Sequence, residues 1–321
     1  MKKRIPLIAL VVSLLINVIG AVLFVAYLKT LGELKHMTQE RSILSTMLSY
    51  AQTSNVVGQL DPDRIDKVAF ISQFDNNEDI YAIEPIALPI HTKEVTLFVF
   101  LHGLGQTCME PFEKPDGAPF SESIIKRDHS YVMMAPNYRS PAGWVTDATL
   151  SDITQSIRMV LAQYPVKQIY IVGSSMGGCT SLSYCALAPN DIKKKLAGLV
   201  CVEGSGDLAA LYKKTNIDSV RTTMQQQYGG SPDTVSVAYA SKSMLPNISA
   251  VPGQMRFAII SARQDTTVPP EFQDAVYNAL KSQGRPVLMI PIQQGHGWPP
   301  LSILNQAVDF VLQQPKTDKG H

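Results

Sequence analysis

From about residue 80 the chain alternates between short apolar runs and segments with helical spacing, and this limits its fold more than any other feature. Residues 80–88, 95–101, 131–135, 168–172, 196–202, 255–261 and 286–292 read as strands. Most are nearly continuous in apolar residues, the pattern of strands covered on both faces. Between them lie helical segments at 150–164, 177–187, 271–282 and 301–312. In the first of these, Ile153, Ile157, Val160 and Leu161 share one face. Buried strands separated by helices predict an α/β fold with a mainly parallel central sheet flanked by helices. Such a sheet places its ligand site at the carboxyl ends of the strands.

Composition removes some functions. The chain has 321 residues, 45% of them hydrophobic, enough for one sizeable core, and a net charge of +1. No basic patch or stripe is present, so nucleic acid is not an expected partner. Residues 1–28 stand apart: Lys2, Lys3 and Arg4 precede a long apolar run that is long enough to span a bilayer. The rival reading, a cleaved signal peptide, calls for an apolar region of about 7–15 residues and a small-residue cleavage site. This run is longer and no A-x-A site follows it, so an uncleaved transmembrane signal-anchor is expected. The positive flank places the N-terminus in the cytoplasm and the bulk of the chain on the outer side, periplasmic or extracellular.

The remaining organisation follows. Residues 29–79 read as a juxtamembrane helix and linker, 80–313 as the main domain, and 314–321 as a disordered polar tail. Residues 204–251 are too long for an ordinary strand connection and read as a cap-like insert. In it, Leu208, Leu211, Tyr212, Met224 and Tyr228 could pack the insert down or line an acyl site. Cys108, Cys179, Cys185 and Cys201 show no metal-ligand or redox spacing. Disulfides among them are permitted, Cys108–Cys179 for one, although Cys185 and Cys201 read as small core residues.

The strand at 168–172 runs into Gly173-Ser174-Ser175-Met176-Gly177, and a helix follows. Gly-x-Ser-x-Gly at a strand-to-helix turn is the nucleophile-elbow pattern. The frame selects Ser175 and leaves Ser174 out of register. Alternatively the serine only caps the helix. A serine nucleophile needs a base, and the base needs an orienting acid, in the chain order serine, acid, histidine. Only His296 and His321 follow Ser175. His321 ends the polar tail, whereas His296 sits in a loop directly after the 286–292 strand. Asp265 is the one carboxylate in the loop after the 255–261 strand. Glu203 and Asp207 are rival acids, but their neighbours read as the start of the insert. For a developing oxyanion, the backbone amides of Leu104 and Met176 are the expected donors, from His102-Gly103-Leu104-Gly105 and from the start of the helix. His102 itself reads as structural. Trp144 lies in the loop after the 131–135 strand and is a candidate substrate contact.

These pieces resemble the α/β-hydrolase superfamily over roughly residues 80–313. The likeness is nearest to the prolyl-oligopeptidase-like, dienelactone-hydrolase-like and carboxylesterase branches. Gly177-Gly178, "YGGSPDTV" and "ARQDTTVPPEFQDAVYNAL" carry that likeness. It implies an α/β-hydrolase fold and a Ser175–His296–Asp265 triad acting through an acyl-enzyme, with no metal or organic cofactor. Prolyl-oligopeptidase relatives usually carry a large N-terminal propeller, whereas only residues 29–79 lie between the expected anchor and the hydrolase domain, and the 102–105 loop looks like that of esterases and lipases. The expected function is therefore a membrane-anchored serine hydrolase of carboxylic esters. A short-peptide peptidase and a catalytically silent binding module are the alternatives. The expected partners are a small ester or short-peptide substrate and, through the N-terminal helix, the membrane.

Overall fold

The computed structural model describes residues 65–84, 94–113, 119–128 and 130–313. The expected anchor at 1–28, most of the linker and the tail at 314–321 lie outside the described residues. Among the described residues, no helix is long and apolar enough to cross a membrane.

One eight-stranded sheet organises the described residues. Its strands are β1 (Asp66–Ile71), β2 (Glu78–Glu84), β3 (Val95–Leu101), β4 (Tyr131–Pro136), β5 (Val166–Ser174), β6 (Leu196–Val202), β7 (Arg256–Ala262) and β8 (Val287–Ile292). The spatial order is β1-β2-β4-β3-β5-β6-β7-β8. From β4 to β8 the neighbours are parallel, while β2 runs antiparallel to β1 and β4. The sheet thus begins at Asp66, ahead of the expected domain boundary at residue 80. β1 carries a short apolar run, Val68-Ala69-Phe70-Ile71, but as an edge strand it buries only Phe70 of these.

Period-two alternation divides each inner strand between two cores. Leu97, Val99 and Leu101 of β3 face one side with Ile169 and Ile171 of β5 and Phe257 and Ile259 of β7. That side is covered by α2 (Asp147–Gln163), α3 (Met176–Leu187) and α8 (Glu271–Ser282) through Ile153, Ile157, Leu182, Val276 and Leu280. Phe98, Phe100, Val172, Val200 and Ile260 face the other side. There α1 (Phe120–Ile125) and α9 (Leu301–Leu312) supply Ile124, Leu304, Val308 and Val311. Between α3 and β6 lies only the short α4 (Asn190–Lys193).

The β6–β7 connection is helical throughout much of its length. It carries α5 (Leu208–Lys214), α6 (Asp218–Tyr228), α7 (Ser236–Lys242) and a 3-10 turn (Leu245–Ala250). Asp207 caps α5 by accepting from the Ala210 amide at 3.0 Å, which gives this rival acid a local task. α6 stops at Gly229, whose φ of +79° closes the helix in the left-handed region. Leu208, Leu211 and Met224 are fully buried, and Tyr228 Oη accepts from the Val145 amide at 3.3 Å. Leu208, Leu211 and Met224 thus pack the insert down onto the domain.

A buried ion pair ties the antiparallel edge to the rest. Asp152 of α2 is fully buried, and Arg139 Nε lies 2.6 Å from its Oδ2. The contact is close but off-axis, so charge rather than a linear hydrogen bond joins them. Ser72, beyond β1, donates to Asp152, and Arg139 also pairs with Asp75 in the β1–β2 turn. Arg139→Ala leaves the Asp152 charge without its cation. It should cost about 3–5 kcal/mol, read as a lower urea midpoint. A cost below about 1 kcal/mol, the value of a solvated surface pair, would contradict the buried-pair account.

Candidate active site

Ser175 sits between the last residue of β5 and the first of α3 with φ +54° and ψ −115°. A non-glycine residue in this region is strained and persists only where its surroundings hold it. The surroundings do so here. The Ser175 amide donates to Val202 O at 2.8 Å, and its carbonyl accepts from Cys179 N at 2.9 Å. The flanking glycines explain how α3 comes so close to the sheet. A Cβ on Gly173 would meet Gly177 O at 2.2 Å, and one on Gly177 would meet Leu101 O at 1.9 Å. One on Gly178 would meet Val202 O at 2.8 Å. The second glycine of the pair therefore seats the helix against β6.

Three further side chains converge on this turn from the next three strands. His296, after β8, has Nε2 2.8 Å from Ser175 Oγ. Its Nδ1 lies 2.7 Å from Oδ2 of Asp265, which follows β7. The other Asp265 oxygen accepts from the amides of Thr267 at 2.7 Å and Val268 at 2.9 Å. The turn role that sequence allows for Asp265 and the contact with histidine are thus divided between its two oxygens. The third side chain is Glu203, after β6, passed over in the sequence as the start of the insert. Its Oε2 lies 3.0 Å from His296 Nδ1 and accepts from the Gly297 amide at 2.9 Å.

Both carboxylates accept only, so the proton of neutral His296 resides on Nδ1 and Nε2 is left to accept from the serine hydroxyl. Burial alone lowers the imidazole pKa, but hydrogen bonds and charge from Asp265 and Glu203 outweigh it and push it up to about 9. The imidazole keeps 24% side-chain exposure, leaving it an open edge. Glu203, Asp265 and His296 also bring one ligand-type atom each within 4.8 Å of one another. Two carboxylates converging on one imidazole N–H account for that closeness, and no cation is needed to explain it.

The loop after β3 lies beside the serine: a Cβ on Gly103 would sit 3.8 Å from Ser175 Cβ. The Gly105 amide donates to Pro141 O at 2.7 Å, and the Gly103 amide donates to Glu110 Oε2 at 2.7 Å. Among the described residues, no acceptor engages the Leu104 or Met176 amide. Glu110, in a 3-10 turn at Glu110–Phe112, has its carboxyl pushed up to about 8 by burial. Nothing in its local sequence announces this supporting position. His102 is fully buried, stacked on Tyr138 at 4.2 Å between ring centroids, with ring nitrogens near Gly103 O and Asn137 O.

Trp144 departs from its expected place on the rim. It is 2% exposed, and its indole N–H donates to Thr223 Oγ1 of α6 at 2.9 Å. Its polar edge is spent on holding the insert, which removes it as a substrate contact. The four cysteines are free and buried, with no Cys108–Cys179 bridge. Burial pushes the Cys108 and Cys179 thiols up to about 12, so neither is a competing nucleophile.

The family profile described as the alpha/beta hydrolase fold matches residues 96–226. A search of curated proteins finds no match. A puromycin-hydrolyzing peptidase of Mycobacterium tuberculosis superposes with a TM-score of 0.60 at 14% identity, covering 77% of this chain and 38% of that one. A Pyrococcus horikoshii acylaminoacyl peptidase gives 0.57 at 16%, covering 77% and 41%. A puromycin hydrolase gives 0.61 at 16%, covering 79% and 39%. At these identities the likeness is one of fold. This chain spans about two fifths of each of those structures.

The glycine seat can be tested directly. Gly177→Ala forces a methyl against the Leu101 carbonyl, an overpacking cost of about 3 kcal/mol or more. The expected outcome is a clear fall in thermal midpoint. An unchanged midpoint would mean that α3 does not press on β3 as described.

Proposed function

We propose that this chain, which belongs to the α/β-hydrolase superfamily, is a serine hydrolase that cleaves small acylated substrates, with short peptides and related amides as its class. The supporting observation is the unbroken relay from Ser175 Oγ to His296 Nε2 at 2.8 Å and from His296 Nδ1 to Asp265 Oδ2 at 2.7 Å. In this reading Ser175 Oγ attacks the carbonyl carbon while His296 takes its proton. The carbonyl oxygen becomes an oxyanion facing the Leu104 and Met176 amides. The tetrahedral intermediate collapses, the carbon–nitrogen bond breaks, and His296 returns the proton to the leaving amine. Water then attacks the acyl-enzyme by the same route and frees Ser175. Asp265 holds the imidazole tautomer and stabilises its positive form.

What favours amides over esters is the fold likeness to a puromycin-hydrolyzing peptidase and an acylaminoacyl peptidase. A second reading, ester hydrolysis, is supported by the 102–105 loop, which offers the Leu104 backbone amide rather than a side chain to the oxyanion. Rates on aminoacyl or acylaminoacyl anilides and on p-nitrophenyl esters separate the two. We further propose, from sequence alone, that residues 1–28 anchor the protein in a membrane with the hydrolase domain on the outer side and 204–251 acting as a cap. Full-length protein should then remain with membranes after alkaline carbonate washing, and release into the soluble fraction would refute the anchor.

Two outcomes test the chemistry. Ser175→Ala should lower kcat by roughly three orders of magnitude or more and abolish fluorophosphonate labelling. Wild-type activity in that variant would end the proposal. The base must be neutral to accept the serine proton, and its pKa is raised to about 9. So kcat/KM should climb with pH and level off only above about 9. A profile flat across about pH 6–8 would show that His296 is not held in that ion pair.

A further inference from the structure

Glu203 stands outside the triad that sequence order selects, yet it occupies the strand end between those of the serine and the aspartate. β6 lies between β5 and β7 in the sheet, so the residue after β6 necessarily emerges between Ser175 and Asp265. Its backbone is pinned there. The Glu203 amide donates to Ile260 O at 3.1 Å, and φ is +52°, a costly conformation for a residue with a side chain. The carboxylate is buried, with the residue 1% exposed. Oε2 reaches both His296 Nδ1 and the Gly297 amide. Oε1 is buried without any hydrogen-bond partner.

A buried carboxylate with one oxygen unpaired is expensive unless a cation lies beside it. Among the described residues, His296 is the basic side chain within salt-bridge distance of Glu203, and it is also the one facing Asp265. Holding the Gly297 amide would require one oxygen and no charge. The charge itself therefore needs another explanation, and the imidazole supplies it.

We propose that Glu203 is a positioning residue for the base: it sets a second carboxylate 3.0 Å from the Nδ1 whose proton His296 donates to Asp265, so that the histidine works between two carboxylates from adjacent strands. This rests on the serine-hydrolase reading. It makes the acid function divided rather than single. Either carboxylate alone can keep the tautomer and orientation of His296, and the two together hold the imidazolium more firmly than one. Asp265 and Glu203 are the charged groups that act on the ring, from the loops after β7 and β6.

The test reads the base without requiring a substrate. The rate at which a fluorophosphonate labels Ser175 is followed against pH in full-length wild type, Glu203→Gln, Asp265→Asn and the double variant. Nitrogen NMR of the His296 ring is recorded on the same proteins. Glu203→Gln should move both the labelling limb and the ring titration down by about one pH unit or more. Asp265→Asn should lose no more than about 100-fold in plateau labelling, against the roughly ten-thousand-fold loss when a sole orienting acid is removed. The double variant should reach that larger loss. A ring titration unchanged in Glu203→Gln, or a full loss in Asp265→Asn alone, overturns the proposal. If Glu203→Gln does not fold, the Asp265→Asn result decides by itself. If wild type labels at no pH, the hydrolase reading fails, and the ring titration still decides what Glu203 does.

Discussion

The approach of helix α3 to the Leu101 carbonyl is the contact on which the site depends. Only a residue without a Cβ can stand at position 177. That absence lets the helix start directly after β5, and the abrupt start forces Ser175 out of both strand and helix geometry. The serine is thereby raised toward the strand ends with the first amides of α3 behind it. Strain at one residue is maintained by close packing at three glycines. The same logic repeats at Glu203, another left-handed residue at a strand end, held by a backbone bond to its neighbouring strand.

Electrostatics pull in one direction around His296. Two carboxylates favour its charged form, and partial burial opposes them without prevailing. A group whose folded pKa is raised stabilises the fold most at low pH, below its unfolded value near 6.5. That contribution fades as pH rises through about 9. Stability from this pair and availability of the neutral base thus change in opposite senses with pH. In the proposed reaction His296 is held as an ion pair and must give up part of that pairing to accept a proton.

Much of this was legible in the chain before any coordinates. Strands β3 to β8 carry continuous apolar runs because helices cover both their faces, and Ser175, Asp265 and His296 each directly follow such a run. Glu203 follows one as well, but its meaning depends on strand order. Nothing local says that β6 lies between β5 and β7, and the insert that begins beside it supplied a simpler reading. β1 was absorbed into the linker because its apolar run, Val68–Ile71, is only four residues long and an edge position leaves most of it exposed. Trp144 was assigned to a rim because its burial under α6 depends on where the insert folds, which hydrophobic spacing does not encode. Glu110 escaped notice for a similar reason: its one informative contact, with the Gly103 amide, is made by a loop folding back on itself.

The strands β5, β6, β7 and β8 are consecutive in the chain as well as in space. That arrangement has a bearing on biosynthesis. A chain growing from its N-terminus completes the serine turn first, then the glutamate, then the aspartate, and the histidine last. Until β8 adds itself to the sheet edge, Ser175 stands without its His296 partner. The contact between Ser175 and His296 is therefore a late product of synthesis, closed only once the last strand of the sheet has been made.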